Sequence, residues 1–345
     1  MTPAERLRAA CLGQAVDRPP VWLMRQAGRY MAEYQAVRAR HSLLEICRTP
    51  ALAAEVTLTA ARKLGVDAAI IFADLLLPAA PLGLHFDFVA GAGPAIHPPI
   101  RTAASVARLP ETWDGALEFV SEAIRRCVQQ AGPELPVVGF AGAPFTLASY
   151  LIEGGPSTQF LHTHRLMREE PAAWDELMRK LVSGLAGFLA EQAAAGAAAL
   201  QLFDSWAGAL APQDYRQFVL PHNQRLVQAA QAAGVPVIYF STGTTGYLEL
   251  IADTGADVLS LDWRISLADA WRRLAARPHP PALQGNLDPT LLLAPLPVLR
   301  AGVADLLHQA RGHHGFIFNL GHGILPATPV AAVQALVQWV GEATC

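Results

Sequence analysis

A single (β/α)8 barrel of the TIM type, with residues 1–345 as one domain, is the fold this sequence predicts, and three observations predict it. Eight short apolar runs alternate with longer, alanine-rich helical stretches. Each run ends in glycine or a polar residue, as buried parallel strands tend to do. The length of 345 residues exceeds that of an ordinary domain, yet closed α/β barrels often run this long as one unit. Strands and helices alternating in that number favour a closed barrel over a doubly wound open sheet.

The chain opens with "TPAE", Thr2 to Glu5, a capping box with Pro3 at the first helical position. That predicts a short N-terminal helix rather than a signal peptide. The strand runs follow at 21–25 (VWLMR), 68–73 (AAIIFA), 137–141 (VVGFA), 198–203 (AALQLF), 236–240 (PVIYF), 258–262 (VLSLD), 282–285 (ALQG) and 316–320 (FIFNL). "LGVDAAIIF", "AGAAALQLF", "AGVPVIYF" and "TGADVLSLDW" share a glycine just before the run, as expected where a helix C-cap feeds the next strand. The interval 75–136 is too long for one βα unit. Its turn-rich part, "GLHFDFVAGAGPAIHPPI" at 83–100, predicts a hairpin excursion between the second and third strands. No linker, sequence repeat or low-complexity tail divides the chain.

Composition narrows the function. A hydrophobic content of 52%, only 16% charge and a net charge of −3 give no global attraction to nucleic acid or a membrane, so any anion recognition is local. Cys11, Cys47, Cys127 and Cys345 are scattered, with neither a C-x-x-C pair nor a disulfide-framework spacing. A reducing, cytoplasmic setting is expected. No apolar stretch reaches the about 18 uninterrupted residues of a membrane span, so a soluble protein is expected.

Barrel chemistry belongs at the C-terminal ends of the strands, where the βα loops build the pocket. Those ends supply Arg25, Asp74, the "GAPFTLASY" loop to Tyr150, Asp204 with Ser205, Ser241, Asp262 with Trp263, Asn286 with Asp288, and His322. For Asp204, Ser205, Ser241, Asp262 and Asp288 taken singly, capping of the following helix is the favoured reading. Asp74 differs. It precedes Leu75-Leu76-Leu77-Pro78, so its carboxylate lies among apolar side chains and needs compensating partners.

The arginines divide in the same way. Arg29 with Glu33, and Arg38 beyond them, fit a solvated helix face laced by salt bridges. Arg25 stands directly behind a buried strand, where a guanidinium most often forks onto carboxylate or phosphate oxygens. The glycine-rich stretch from Gly243 to Gly246 offers a competing phosphate cradle, but it lacks the G-K-[ST] ending of a P-loop. "GAGP" at 91–94 is followed by no helix and is a weak dinucleotide signal. Lys63 and Lys180 are the sole lysines and neither stands at a strand end. A Schiff base is therefore not expected. His162, His164, His313 and His314 form no metal set and are read as surface or packing residues. Arginines, a buried aspartate, a tyrosine and a histidine, without an electron-handling cofactor, suit a polyanionic small molecule that supplies its own electron sink.

The motifs "PPVWLMRQAGRYMAEY", "FADLLLP", "GFAGAPFTLASYLIEGG", "LQLFDSWAG", "GADVLSLDWR", "LQGNLDP" and "NLGHGILPATP", in order from near residue 2 to near 340, closely resemble the uroporphyrinogen decarboxylase family of tetrapyrrole biosynthesis. The resemblance implies a (β/α)8 homodimer with facing clefts that converts uroporphyrinogen III to coproporphyrinogen III without cofactor or metal. It places Arg25, Gln26, Ala27, Gly28 and Arg29 in the substrate-binding motif, with Arg38 nearby, and leaves open a part for Arg25 in proton delivery. Asp74 matches the family's central aspartate, which accepts pyrrole N–H groups and offsets charge developing on the ring. Tyr150, Ser205 and His322 match its remaining polar binding positions. Tyr34 and Phe145 depart from many relatives but keep an aromatic wall. The alternatives are a zinc-dependent methyltransferase of the same barrel superfamily, which would need a His-x-Cys and a later cysteine at strand ends, and a non-catalytic tetrapyrrole-binding protein.

Overall fold

The computed structural model describes residues 1–89 and 93–343. Among the described residues nine strands are formed: β1 (Ala69–Ile70), β2 (His85–Val89), β3 (Gly93–His97), β4 (Val137–Gly142), β5 (Ala199–Asp204), β6 (Val237–Ser241), β7 (Val258–Ser260), β8 (Ala282–Leu287) and β9 (Phe316–Leu320). Seven of them make a curled parallel sheet in the order β1-β4-β5-β6-β7-β8-β9. The expected hairpin is present as β2 and β3, antiparallel from His85 opposite His97 to Val89 opposite Gly93. Of the "GAGP" stretch, residues 91 and 92 lie outside the described residues.

The run at 21–25 is not a regular strand. Val21 makes a single parallel bridge to Phe318, and Phe318 N donates to Pro20 O at 2.9 Å. On its other side, Val21 O accepts from Asp67 N at 2.8 Å, and Val21 N donates to the Asp67 carboxylate at 2.9 Å. Pro19 and Pro20 have no N–H to extend a ladder backward. At the other end the chain turns at once, with Gln26 N donating to Leu23 O at 3.0 Å. Asp67 is itself fixed by Arg6 at 2.9 Å and Arg18 at 2.7 Å, which ties the first segment to the start of β1.

Side chains alternate across the sheet, as a period of two requires. Trp22, Met24, Ala68, Ile70, Val138, Ala199, Ile238, Phe240, Val258, Ala282 and Ile317 form one interior cluster. The N-terminal helix Pro3–Cys11, with the Thr2–Glu5 capping box in place, adds Leu7, Ala10 and Cys11 to that cluster from below. A polar layer crosses the interior: Trp22 Nε1 donates to Gln284 Oε1 at 3.0 Å, and Gln284 Nε2 donates to Gln201 Oε1 at 3.0 Å and Ser260 Oγ at 2.8 Å. The opposite faces pack against the helices in a larger apolar shell. Gly65, at φ 72°, closes the helix Pro50–Leu64 in the left-handed region and turns the chain into β1, the cap that its sequence position predicts.

Candidate active site

A cavity of about 350 Å³ opens at the C-terminal ends of the strands. Its floor is apolar, made by Met24, Ile70, Phe140, Phe203 and Phe240. Phe140 meets Phe203 edge-on at 5.5 Å, and Phe203 meets Phe240 at 5.7 Å. Phe88 and Pro94 of the hairpin overhang the opening. Arg25, Ala27, Asp74, Tyr150, Ser205 and His322, all expected from the sequence, line this one cavity.

Asp74 lines the cavity four residues beyond the floor residue Ile70, in the irregular segment that follows β1. Its Oδ1 accepts Leu76 N at 2.8 Å. Burial raises its carboxyl above the ordinary value, while the Leu76 N–H and the positive charge of Arg25 oppose the rise. Such a group is poised to respond to charge on a ligand.

Arg25 adopts φ 62°, in the left-handed region that disfavours a branched-off side chain. The turn around it is fastened from several sides. Met24 N donates to Asn319 Oδ1 at 3.1 Å, Ile324 N donates to Met24 O at 2.9 Å, and Tyr30 OH donates to Gln26 O at 2.6 Å. Among the described residues, its guanidinium makes neither a hydrogen bond nor an ion pair. The side chain lies across Gly323, where an added Cβ would come within 2.4 Å of Arg25 Cδ and 2.7 Å of Cγ. Gly323→Ala is therefore expected to push Arg25 aside and cost about tenfold or more in kcat/KM, with little change in the urea midpoint; wild-type kinetics would contradict this cradle.

His322 adjoins this cradle. Its Nδ1 accepts Gly323 N at 2.8 Å, which places the proton on Nε2, the nitrogen free to donate. Burial first, and then the charges of Arg25 and Arg264, push its pKa down to about 4. The unfolded chain therefore binds a proton that the folded chain does not between the ordinary value of 6.5 and about 4. The stability from this group is present above 6.5 and is lost as pH falls through that window. Nitrogen-detected NMR should show a neutral Nε2–H ring at pH 6, and a titration centred near 6.5 would contradict the assignment.

Tyr150, on the helix Pro144–Glu153, stacks on Trp206 at 3.7 Å between ring centres. Burial, then Asp74, raise its phenol pKa, so it remains a donor. Ser205 follows β5 and enters from the next strand end. The remaining predicted residues lie outside the cavity lining. The Gln26 side chain is buried, accepting Leu23 N and donating to Ala68 O, both at 3.2 Å. Gly28 makes a close backbone approach, its Cβ position 3.2 Å from Arg25 O. Arg29 is exposed and does not pair with Glu33, which binds Lys63 instead. Arg38 is exposed and donates to His41 O. Of the two aromatic departures, Tyr34 lines the cavity, whereas Phe145 is fully buried against Trp174 and forms no part of the wall.

The capping reading of the other strand-end residues holds only for Asp288, which accepts Thr290 N at 2.8 Å. Asp204 turns away from the cavity into the shell behind it, accepting from Thr146 Oγ1 at 2.7 Å and from Tyr239 OH. Ser205, its neighbour on the opposite face, lines the cavity instead. Ser241 Oγ and Thr244 Oγ1 bond to each other at 2.7 Å. Asp262 staples loops, accepting Gly243 N at 2.6 Å and Arg264 Nη1 at 2.6 Å. A carboxylate thus already holds the Gly243–Gly246 turn, which disfavours phosphate there. Neither lysine lines the cavity; Lys180 is buried, donating to the carbonyls of Val106, Ala107 and Leu109. Among the described residues, no three His, Cys, Asp or Glu side chains gather into a metal-binding group. The aromatic floor, Trp206 and Gly323 were not anticipated; the one signal for the floor was a phenylalanine at an inward position near the end of three consecutive strands.

An enzyme of the α/β class, working at the carboxyl ends of parallel strands on an anionic small molecule, is what this arrangement defines. The sequence profile of the family described as "Uroporphyrinogen decarboxylase (URO-D)" matches residues 2–343, and the chain belongs to that family. A protein from Koribacter versatilis (strain Ellin345) named uroporphyrinogen decarboxylase is 53% identical over 334 residues, 96% of this chain and 94% of that protein. One of the same name from Solibacter usitatus (strain Ellin6076) is 49% identical over 337 residues, 98% and 97% of the two chains. Among solved structures, a methyltransferase from Methanosarcina mazei superposes with a TM-score of 0.80 over 99% of both chains. At 22% identity that likeness shows the fold alone.

Proposed function

We propose that this chain decarboxylates the four acetate side chains of uroporphyrinogen III to methyl groups, giving coproporphyrinogen III, with no cofactor. The observation that carries the reading, beside family membership, is a half-buried carboxylate, Asp74, facing a cavity with an aromatic floor and, at its rim, an arginine that is unpaired among the described residues. A pyrrole protonated at a ring carbon becomes a cation. The bond between acetate methylene and carboxylate breaks, its electron pair flows into the ring, and CO2 leaves; a second proton at the exocyclic carbon completes the methyl, and loss of the first proton from the ring carbon restores the neutral pyrrole. Asp74 offsets the ring's positive charge and accepts pyrrole N–H groups, a preorganised electrostatic contribution. Arg25 binds a substrate carboxylate. Neutral His322 and protonated Tyr150 donate hydrogen bonds, Ser205 adds a hydroxyl, and Arg29 and Arg38 serve carboxylates that extend outside the cavity. The phenylalanines pack against pyrrole faces and exclude water.

The fold reading includes closure into an eight-membered barrel with 21–25 as its first stave. The two-sided hydrogen bonding of Val21 and the place of Trp22 and Met24 in the interior cluster support it. A homodimer is supported by the family resemblance, and sedimentation tests it. A cytoplasmic setting is supported by the unpaired, buried Cys11, Cys47 and Cys127; no helix among the described residues is long and apolar enough to cross a membrane.

The test is anaerobic incubation with uroporphyrinogen III, oxidation, and chromatography for seven-, six-, five- and four-carboxyl products, with and without a chelator. Stepwise appearance of all four, unchanged by the chelator, is expected. Metal-dependent methyl transfer to a thiol would replace this reading with the zinc methyltransferase, and tight binding without turnover would replace it with a non-catalytic tetrapyrrole-binding protein.

A further inference from the structure

Behind the cavity lies a buried polar cluster that the proposed chemistry does not use. Asp204 is fully buried and, among the described residues, has no cation partner, an arrangement that costs free energy unless donors converge on it. Three do. Thr146 Oγ1 donates to Oδ1 at 2.7 Å, and Tyr239 OH and Asn223 Nδ2, the latter at 3.3 Å, donate to Oδ2. Asn223 Nδ2 also reaches Tyr239 OH at 2.7 Å, and Tyr215 OH lies 3.0 Å from Tyr239 OH.

The direction of the cluster is toward the site. Thr146 Oγ1, its O–H directed at Asp204, accepts Trp206 N at 3.3 Å. Trp206 carries the ring that stacks on Tyr150 at 3.7 Å, and Phe160 meets its other edge at 5.0 Å. Tyr150 is four residues after Thr146 on the same helix, hence on the same helical face one turn along. Both members of the stack, one from the helix and one from the loop after β5, are thereby fastened to a single carboxylate. Ser205, covalently between Asp204 and Trp206, is fixed with them.

We propose that Asp204 and Thr146 are positioning residues: a buried bridge that locks the Trp206–Tyr150 stack and so holds the Tyr150 hydroxyl and Ser205 in register with the substrate. This deepens the activity proposed above and rests on it for its kinetic part.

The test is Thr146→Val, which keeps shape and removes the bridge, beside Thr146→Ser, which restores a hydroxyl. Each is made also in a Tyr150→Phe background. The first readout needs no substrate: the six tyrosines are replaced by 3-fluorotyrosine, and the Tyr150 fluorine resonance is assigned by its loss in Tyr150→Phe. Thr146→Val should shift and broaden that resonance, and Thr146→Ser should restore it. With uroporphyrinogen III, Thr146→Val should lower kcat/KM about tenfold, chiefly in kcat, and the loss should shrink when Tyr150 is already Phe. An unmoved resonance, wild-type kinetics, or losses that simply add would overturn the bridge. Should Thr146→Val fail to fold, Asp204→Asn reads the same quantities, since it points a donor where acceptors are required. If the wild type shows no turnover, the proposed activity falls, and the fluorine resonance alone decides the bridge.

Discussion

Asp74→Asn is expected to lose on the order of 10²-fold or more in kcat, while its urea midpoint at pH 7 stays level or rises. The carboxylate is nearly isosteric with the amide, and its one hydrogen bond, from Leu76 N, can be accepted by the amide oxygen. Only the charge is lost. Burial lifts the Asp74 carboxyl above its ordinary value. Between the ordinary value and the lifted one, the folded chain keeps a proton that the unfolded chain has released. Stability from this group is therefore present below that window and falls as pH rises through it. The amide removes the dependence. A rate loss without a stability loss separates electrostatic catalysis from scaffolding, and near-normal turnover in the variant would remove Asp74 from the mechanism.

Arg25→Ala is expected to lower kcat/KM by about 10²- to 10³-fold, the loss that follows removal of one partner from a charge pair with a substrate carboxylate. Since the guanidinium has no partner among the described residues, no buried carboxylate is orphaned by its removal, and the effect on the urea midpoint should be small. The division between kcat and KM is informative. An equal fall in kcat and kcat/KM assigns Arg25 to an interaction that strengthens during reaction, whereas an unchanged kcat at saturating substrate restricts it to uniform binding. Arg25→Lys keeps the charge but not the planar fork, and should recover only part of the loss.

The site was legible where residue type and strand-end position coincide. Asp74, Arg25, Tyr150 and His322 each follow an apolar run or a glycine-bounded loop, and the structure gathers them around one cavity with Ser205, for which the family resemblance alone gave a binding role. Legibility failed where side-chain direction decides. Asp204 and Ser205 are adjacent, so a period of two sends one to the shell and the other to the cavity, and the capping reading treated them alike. Gln26 fell in the arginine motif, but its amide braces the turn from within. The run 21–25 read as an ordinary strand, although its flanking prolines and the left-handed Arg25 reduce it to one bridge. Arg29 and Glu33 have salt-bridge spacing, yet Lys63, thirty residues away, captures the glutamate. Each of these outcomes depends on contacts between distant parts of the chain, which local spacing does not encode. The hairpin and the glycine caps, which local turn chemistry does encode, formed as expected.

The most direct measurement of the central claim is a crystal structure of the wild-type protein with coproporphyrinogen III, grown without oxygen. The macrocycle is expected to be seated on Phe140, Phe203 and Phe240, with its pyrrole N–H groups within hydrogen-bond distance of the Asp74 carboxylate and Arg25 on a side-chain carboxylate. A macrocycle bound elsewhere, or one in this cavity with its N–H groups turned away from Asp74, would contradict the central claim.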